Sequence, residues 1–232
     1  MEILSPAGSP EALRAAVCAG ADAVYLGFGQ FNARRGARNF SREELAAAVS
    51  YCHLRGVKVY LTLNTLASDR EMAEAVDCAV QASKLGVDAA LIQDMGLVRA
   101  LRQAAPDLPL HASTQMTLHS LDGVKQAAEL GMTRAVLARE LSRRDIAYIC
   151  ERSPIEIEVF VHGALCMCYS GQCFMSSVIG GRSGNRGMCA QPCRLPYGWG
   201  DELASGHPLS LKDMSLAGHL KELQDMGVAC AK

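Results

Sequence analysis

Polar and apolar positions repeat one phrase along the chain: an amphipathic stretch, a glycine, one or two linking residues, then a short run of β-branched and aliphatic side chains. It occurs as AAVCAGADAVYLG around Gly20, YCHLRGVKVYLTLN around Gly56, QASKLGVDAALIQD around Gly86, QAAELGMTRAVLAR around Gly131 and LQDMGVACAK around Gly227. A glycine just past a helix accepts the left-handed conformation that ends it. The apolar run then enters a sheet, and strands alternating with helices pair in parallel through right-handed crossovers.

The pattern predicts strands at Ile3–Leu4, Ala23–Leu26, Val57–Leu63, Ala89–Gln93, Leu110–Ala112, Arg134–Ala138, Ile155–Val161 and Val228–Ala231. Eight is the number that closes a barrel. Helices are expected at Pro10–Ala19, Arg42–Arg55, Arg70–Leu85, Gly96–Ala104, Leu118–Leu130, Ser142–Glu151 and Ser215–Met226. Ser41 with Glu44 reads as a capping box, and Ser142 and Asp213 are placed to cap later helices. The expected fold is therefore a TIM-like (β/α)8 barrel over residues 1–232, with a cysteine-rich insertion at 163–200 after the seventh strand. An open doubly wound sheet is the competing architecture, but the first turn, SPAGSPE, is no dinucleotide fingerprint. The chain stops at the eighth strand without a covering helix, which is the expectation for a truncated piece of a longer protein.

Composition narrows the class. Half of the 232 residues are hydrophobic and the net charge is −1, so a sizeable core is available and no global basic field argues for nucleic acid. There is neither a basic, then apolar, leader nor an apolar run long enough to span a bilayer, and the expected location is the cytoplasm. In that compartment ten cysteines point to metal binding or catalysis rather than to disulfides.

Five of them, Cys166, Cys168, Cys173, Cys189 and Cys193, fall in HGALCMCYSGQCFMSSVIGGRSGNRGMCAQPCRLPYG. Six residues separate Cys166 from Cys173, fifteen separate Cys173 from Cys189, and three separate Cys189 from Cys193. Structural zinc favours tight spacing in both halves, and only the second half has it. Four thiolates around a larger iron–sulfur cubane tolerate the irregularity better. Zinc and uncoordinated or redox cysteines remain the alternatives. Cys168 is too close to Cys166 to be needed as a fourth ligand, while Cys18, Cys52, Cys78 and Cys150 read as core residues of helices and Cys230 as a strand residue packed in the core, with ligation its alternative.

In a parallel barrel, functional groups project from the carboxyl ends of strands. Those ends carry Asn32, Arg34 and Arg35 in FNARR, Asn64 and Thr65 in LNT, Gln93 and Asp94, then His111, Ser113, Thr114 and Gln115 in HASTQ, Arg139 and Glu140 in ARE, and His162 in HG. His162, Arg139, Glu140 and Asn64 are the catalytic candidates. His162 titrates near neutrality and ends the seventh strand beside the cysteines. Asn32, Arg34, His111, Gln115 and Arg182 are the substrate-binding candidates, the arginines for phosphate or carboxylate; His111 reads equally as a hydrogen-bonded core histidine. Arg139 and Glu140 are neighbours and so point to opposite sides. Glu156 and Glu158 share one strand face, either a polar barrel interior or a pair satisfied by Arg or Lys.

EVFVHGALCMCYSGQC followed by GNRGMCAQPCR resembles the signature of peptidase family U-32, the collagenase-like peptidases, and the likeness extends to EILSPAGSPEALRAAVCAGADAVYLG, FNARRGARNF, VYLTLNTL and HASTQMTLHS. The resemblance implies oxygen-independent hydroxylation, of ribosomal-RNA cytidine, transfer-RNA uridine or the ubiquinone ring, with prephenate as hydroxyl source in the RNA systems. It implies Cys166, Cys173, Cys189 and Cys193 as ligands of a 4Fe-4S cluster, with Cys193, or Cys230 in its stead, as the fourth. FNARRGARNF and LTLNTL look most like the ribosomal-RNA type. A peptidase is the alternative enzyme. HExxH is absent, and His162 near Cys166 would have to supply a Cys–His dyad. A non-catalytic cluster or zinc subunit that needs a partner is the third reading.

Overall fold

The computed structural model of the chain describes residues 1–33, 38–198 and 206–232. Eight strands close a parallel barrel: β1 (Glu2–Pro6), β2 (Ala23–Gly27), β3 (Lys58–Leu63), β4 (Ala89–Ile92), β5 (Leu110–Ala112), β6 (Arg134–Val136), β7 (Glu156–Val159) and β10 (Cys230–Ala231). The last strand inserts between β7 and β1 and completes the ring, with Cys230 opposite Glu158 and Glu2.

Helices α1 (Pro10–Cys18), α2 (Arg42–His53), α3 (Asp69–Lys84), α4 (Met95–Ala104), α5 (Leu121–Glu129) and α6 (Arg143–Arg152) cover the strands. Their starts are locally encoded. Ser41 and Glu44 form the expected capping box, Ser142 forms one with Asp145, and Asp94 caps α4 through the Leu97 amide; each such cap contributes about 1 kcal/mol. Leu97, Val98 and Leu101 show why α4 packs inward, since the i, i+1, i+4 positions form one apolar stripe.

Three sequence expectations shift. α5 begins at Leu121 rather than Leu118, because residues 114–116 make a 3-10 turn that Thr117 ends in the left-handed region, and Ser120 then caps the helix. The last helix, α8, is short (Leu220–Asp225), and Asp213 does not cap it: Met214–Ser215 forms strand β9, paired antiparallel with β8 (His162–Gly163). Cys18 is exposed rather than core, because Leu13 and Val17 carry the buried face of α1 and Cys18 lies one position around.

Two apolar layers result. The larger fills the space between sheet and helices. The smaller, inside the barrel, contains Leu4, Ala23, Tyr60, Ala89, Leu91, Val136 and Cys230. This interior also carries charge. Arg134 bonds Glu2 at 2.7 Å, Glu156 at 2.7 Å and Glu158 at 3.5 Å, and Glu158 in turn accepts from Lys232 Nζ at 2.9 Å. Glu158 thus meets both expectations, buried in the interior and paired with Arg134 and Lys232, whereas Glu156 pairs with Arg134 from an exposed position at the start of β7. Among the described residues no helix is long and apolar enough to cross a membrane.

Candidate functional site

At the carboxyl end of the barrel the strands surround a cavity of about 250 Å³. Six of the residues expected there line it: Asn32, Asn64, Ser113, Thr114, Gln115 and Arg139. Asn64, at the end of β3, accepts from the Ala33 amide at 3.0 Å and donates to Ser113 Oγ at 3.2 Å, so it ties three strand ends together. Asn32 is buried and donates to Asn39 Oδ1 at 2.9 Å. Gly27 permits this packing, because a Cβ there would run into the Asn39 and Asn32 side chains.

The lining also includes residues that the strand-end pattern did not flag, namely Arg38, Tyr25, Phe160 and Lys232. Arg38, Arg139 and Lys232 bring three cations, and no Asp or Glu lines the cavity among the described residues. Lys232 has a side chain only 5% exposed; its ammonium bonds Glu158 and stands 4.4 Å from the Tyr25 ring centroid. The closing strand carries it, so its place in the pocket depends on ring closure.

The other candidates lie elsewhere. Arg34 is outside the described residues. His111 is buried inside the barrel, edge-on to Tyr60 at 5.0 Å, and does not line the cavity. Burial, then the Arg134 and Lys232 charges, pushes its pKa down to about 3. Below it, burial would raise the Glu2 carboxyl, but hydrogen bonding and charge from Arg134, with bonds from Lys58 and Tyr60, bring it down to about 2. Glu140 turns away from the cavity. It accepts from the Ser170 amide at 3.0 Å and Ser170 Oγ at 2.9 Å, and it meets His119 Nε2 at 3.0 Å. His162 is exposed in the β8–β9 ribbon, because β7 stops at Val159 and the chain leaves the barrel after Val161. Arg182 braces the cysteine segment by donating to the Met188 carbonyl at 3.2 Å.

The cysteine segment sits beside this mouth, folded around α7 (Met175–Gly180) and two 3-10 turns at 184–186 and 192–194. Side chains fasten it to the barrel. Glu140 holds Ser170, and Arg186 donates to the Leu66 carbonyl at 3.2 Å and pairs with Glu71, while Arg194 ties the segment's two ends together by donating to the Leu165 carbonyl at 2.9 Å. Gly171, at φ +79°, lies against the Gln115 carbonyl where a Cβ would have no room.

Within the segment the thiols are near enough to influence one another electrostatically. Burial raises the Cys193 thiol, Arg194 opposes this, and Cys166, Cys189 and Cys173 are all close enough to raise it further. Cys168 is raised by burial and by Cys173. Donors reach the sulfurs: Arg139 Nη2 lies 3.5 Å from Cys166, the Gln191 amide 3.3 Å from Cys189, and Ser176 Oγ 3.8 Å from Cys189. Cys230 is fully buried in the barrel interior and takes no part. Among the described residues, no group of three or more His, Cys, Asp or Glu side chains is arranged to hold a metal ion. Four thiols are the donor set of an iron–sulfur core, and N–H groups that donate to Cys166 and Cys189 are the kind of contact that tunes such a core. Cys166, Cys173, Cys189 and Cys193 would hold it. Among the described residues no histidine nitrogen bonds a cysteine sulfur, so no Cys–His dyad is formed.

Comparison with known proteins is consistent across sequence and fold. A profile of peptidase family U32 matches residues 8–232. The chain is 41% identical over its full length to the 23S rRNA 5-hydroxycytidine C2501 synthase of Escherichia coli, covering 36% of that protein. It is 35% identical over its full length to tRNA hydroxylation protein P1 of Bacillus subtilis, covering 57%, and 33% identical to a collagenase of Porphyromonas gingivalis, covering 60%. The chain therefore spans between about a third and three fifths of these curated relatives. Among solved structures, the U32 peptidase Mk0906 superposes with a TM-score of 0.60 at 18% identity, over 71% of this chain and 70% of that one, a likeness of fold.

Proposed function

Because the chain belongs to peptidase family U32, and its thiols converge beside a cationic pocket, we propose that it is the barrel portion of an iron–sulfur-dependent RNA hydroxylase. The observation that carries the reading is the contact of Arg139, a pocket residue, with Cys166 at 3.5 Å, which sets the cysteine segment against the pocket. Relatives named for RNA hydroxylation favour an RNA substrate, and the higher identity to the ribosomal-RNA enzyme favours cytidine in ribosomal RNA over transfer-RNA uridine.

When bound, a four-iron cluster supplies one-electron chemistry at the pocket's edge. The chain's own groups do the rest. Arg139 and Lys232 attract and orient a small carboxylate co-substrate such as prephenate, for which three cations without an acid make a complementary wall. Phe160 and Tyr25 give that wall an apolar body that limits water. Asn64 and Asn32 hold the rim that the pocket opens through, where a flipped base would approach.

Anaerobic purification with iron, sulfide and zinc analysis tests the centre. Roughly four irons and four sulfides per chain, with broad absorption near 400 nm, are expected. Cys189→Ala should lose the chromophore, whereas Cys78→Ala, in a helix of the barrel, should keep it. Stoichiometric zinc in a colourless protein, or equal iron in both variants, would overturn the reading. The RNA arm is nucleoside mass spectrometry of ribosomal and transfer RNA from cells lacking the protein. A cytidine one oxygen lighter, restored by the wild-type gene and not by Cys189→Ala, is the expected result.

A further inference from the structure

Arg139 touches both halves of the site. Its Nη2 reaches Cys166 Sγ at 3.5 Å and its Nη1 donates to the Ala164 carbonyl at 2.9 Å, while the same guanidinium lines the pocket. Its Cζ stands 5.1 Å from the Phe160 ring centroid, and Lys232 Nζ stands 5.4 Å from the same ring. The three pocket cations differ in one respect. Arg38 pairs with Glu44 and Lys232 with Glu158, whereas among the described residues no carboxylate pairs with Arg139, and its Nε is buried without a partner. A partly desolvated cation with an unused donor is stabilised by an anion that comes from outside the chain.

We propose that Arg139 couples occupancy of the pocket to the electronic state of the centre at Cys166, by dividing one positive charge between a bound carboxylate and the sulfur. The inference rests on the iron–sulfur reading above. A cation beside a ligating sulfur favours the reduced, more negative centre. A carboxylate seated on the guanidinium compensates that charge, so binding lowers the reduction potential. Linkage makes the effect reciprocal: reduction weakens carboxylate binding by the same factor. Arg139 is in this sense a positioning residue, and its neighbour Lys232 supplies affinity without contact to the sulfur.

The test uses the anaerobically reconstituted chain, with malonate as a dicarboxylate probe, potentiometric titration of the centre and calorimetry of binding. Saturating malonate should lower the wild-type potential. A tenfold weaker affinity for malonate in the reduced form corresponds to about 59 mV for one electron. Arg139→Gln should start at a lower potential and no longer respond to malonate, with iron content and melting temperature held as controls. Lys232→Met, compared at a temperature below its own melting transition because it leaves Glu158 without that partner, should weaken malonate binding yet keep the shift at saturation. Should Arg139→Gln load poorly, Arg139→Lys preserves the charge and should retain part of the response. Failure of malonate to bind, a wild-type potential that ignores it, or an undiminished shift in Arg139→Gln overturns the coupling while leaving the cluster intact. A chain that assembles no cluster overturns the functional reading and the coupling together, and iron and sulfide analysis reads that outcome separately.

Discussion

Two ring nitrogens at position 111 enter the barrel, where the side chain is almost fully buried and Nδ1 has no partner. Burial and the facing cations Arg134 and Lys232 hold this histidine neutral, with a pKa of about 3 against an ordinary value of 6.5. Its folded value is depressed, so the unfolded chain binds the extra proton first, and stability falls as pH drops from about 6.5 toward 3. Between pH 7 and pH 5 the loss should be about 2 kcal/mol. His111→Asn should flatten that part of the pH profile in urea titrations; an unchanged slope would remove His111 as its source. The depressed Glu2 carboxyl adds a second loss only lower, from about 4.5 toward 2. Sequence marked His111 as polar at a strand end and left its role open between site and core. Arg139 and Glu140 were legible as residues on opposite sides, but which one faced the pocket depended on where β6 ends relative to the cysteine segment. Lys232 was legible as the lysine that follows the eighth strand, but nothing local placed it in the pocket.

At the scale of elements, the cysteine segment is held by side-chain clamps and short turns. Glu140 accepts two bonds from Ser170 and one from His119, whose ring packs edge-on to Tyr169 at 5.4 Å. Glu140→Ala leaves the Ser170 amide and hydroxyl without their acceptor, at a cost of about 1–3 kcal/mol borne by the segment. Hydrogen exchange should rise across 164–180 and iron should be lost faster to a chelator, with malonate affinity of the pocket unchanged. Equal protection in wild type and variant would mean that Arg186, through Leu66 and Glu71, suffices as the anchor. The barrel helices and strands were readable because caps and periodicity are local. The start of α5, the shortened α8 and the β8–β9 ribbon were not, because each follows from the segment folding back on the barrel mouth.

For the molecule as a whole, ring closure assembles a buried chain of charge from Glu2 through Arg134 and Glu158 to Lys232, which the exposed Lys58 meets at Glu2. Removing one member strands the others in a dry interior. Arg134→Met should therefore lower unfolding free energy by about 3–5 kcal/mol in a single cooperative denaturant transition. A loss under about 1 kcal/mol would show that the interior is wet. By itself the sequence determined the alternation of helices and strands, the parallel barrel and the segment that carries the thiols. Periodicity, capping and cysteine density act over a few residues and are written where they act. Only the tertiary structure decided that Lys232 and Arg139 flank one ring, that Glu140 is a clamp, and that His162 stands apart. Those relations join residues far apart in the chain, and they exist only once the eighth strand closes the ring and the cysteine segment docks on it.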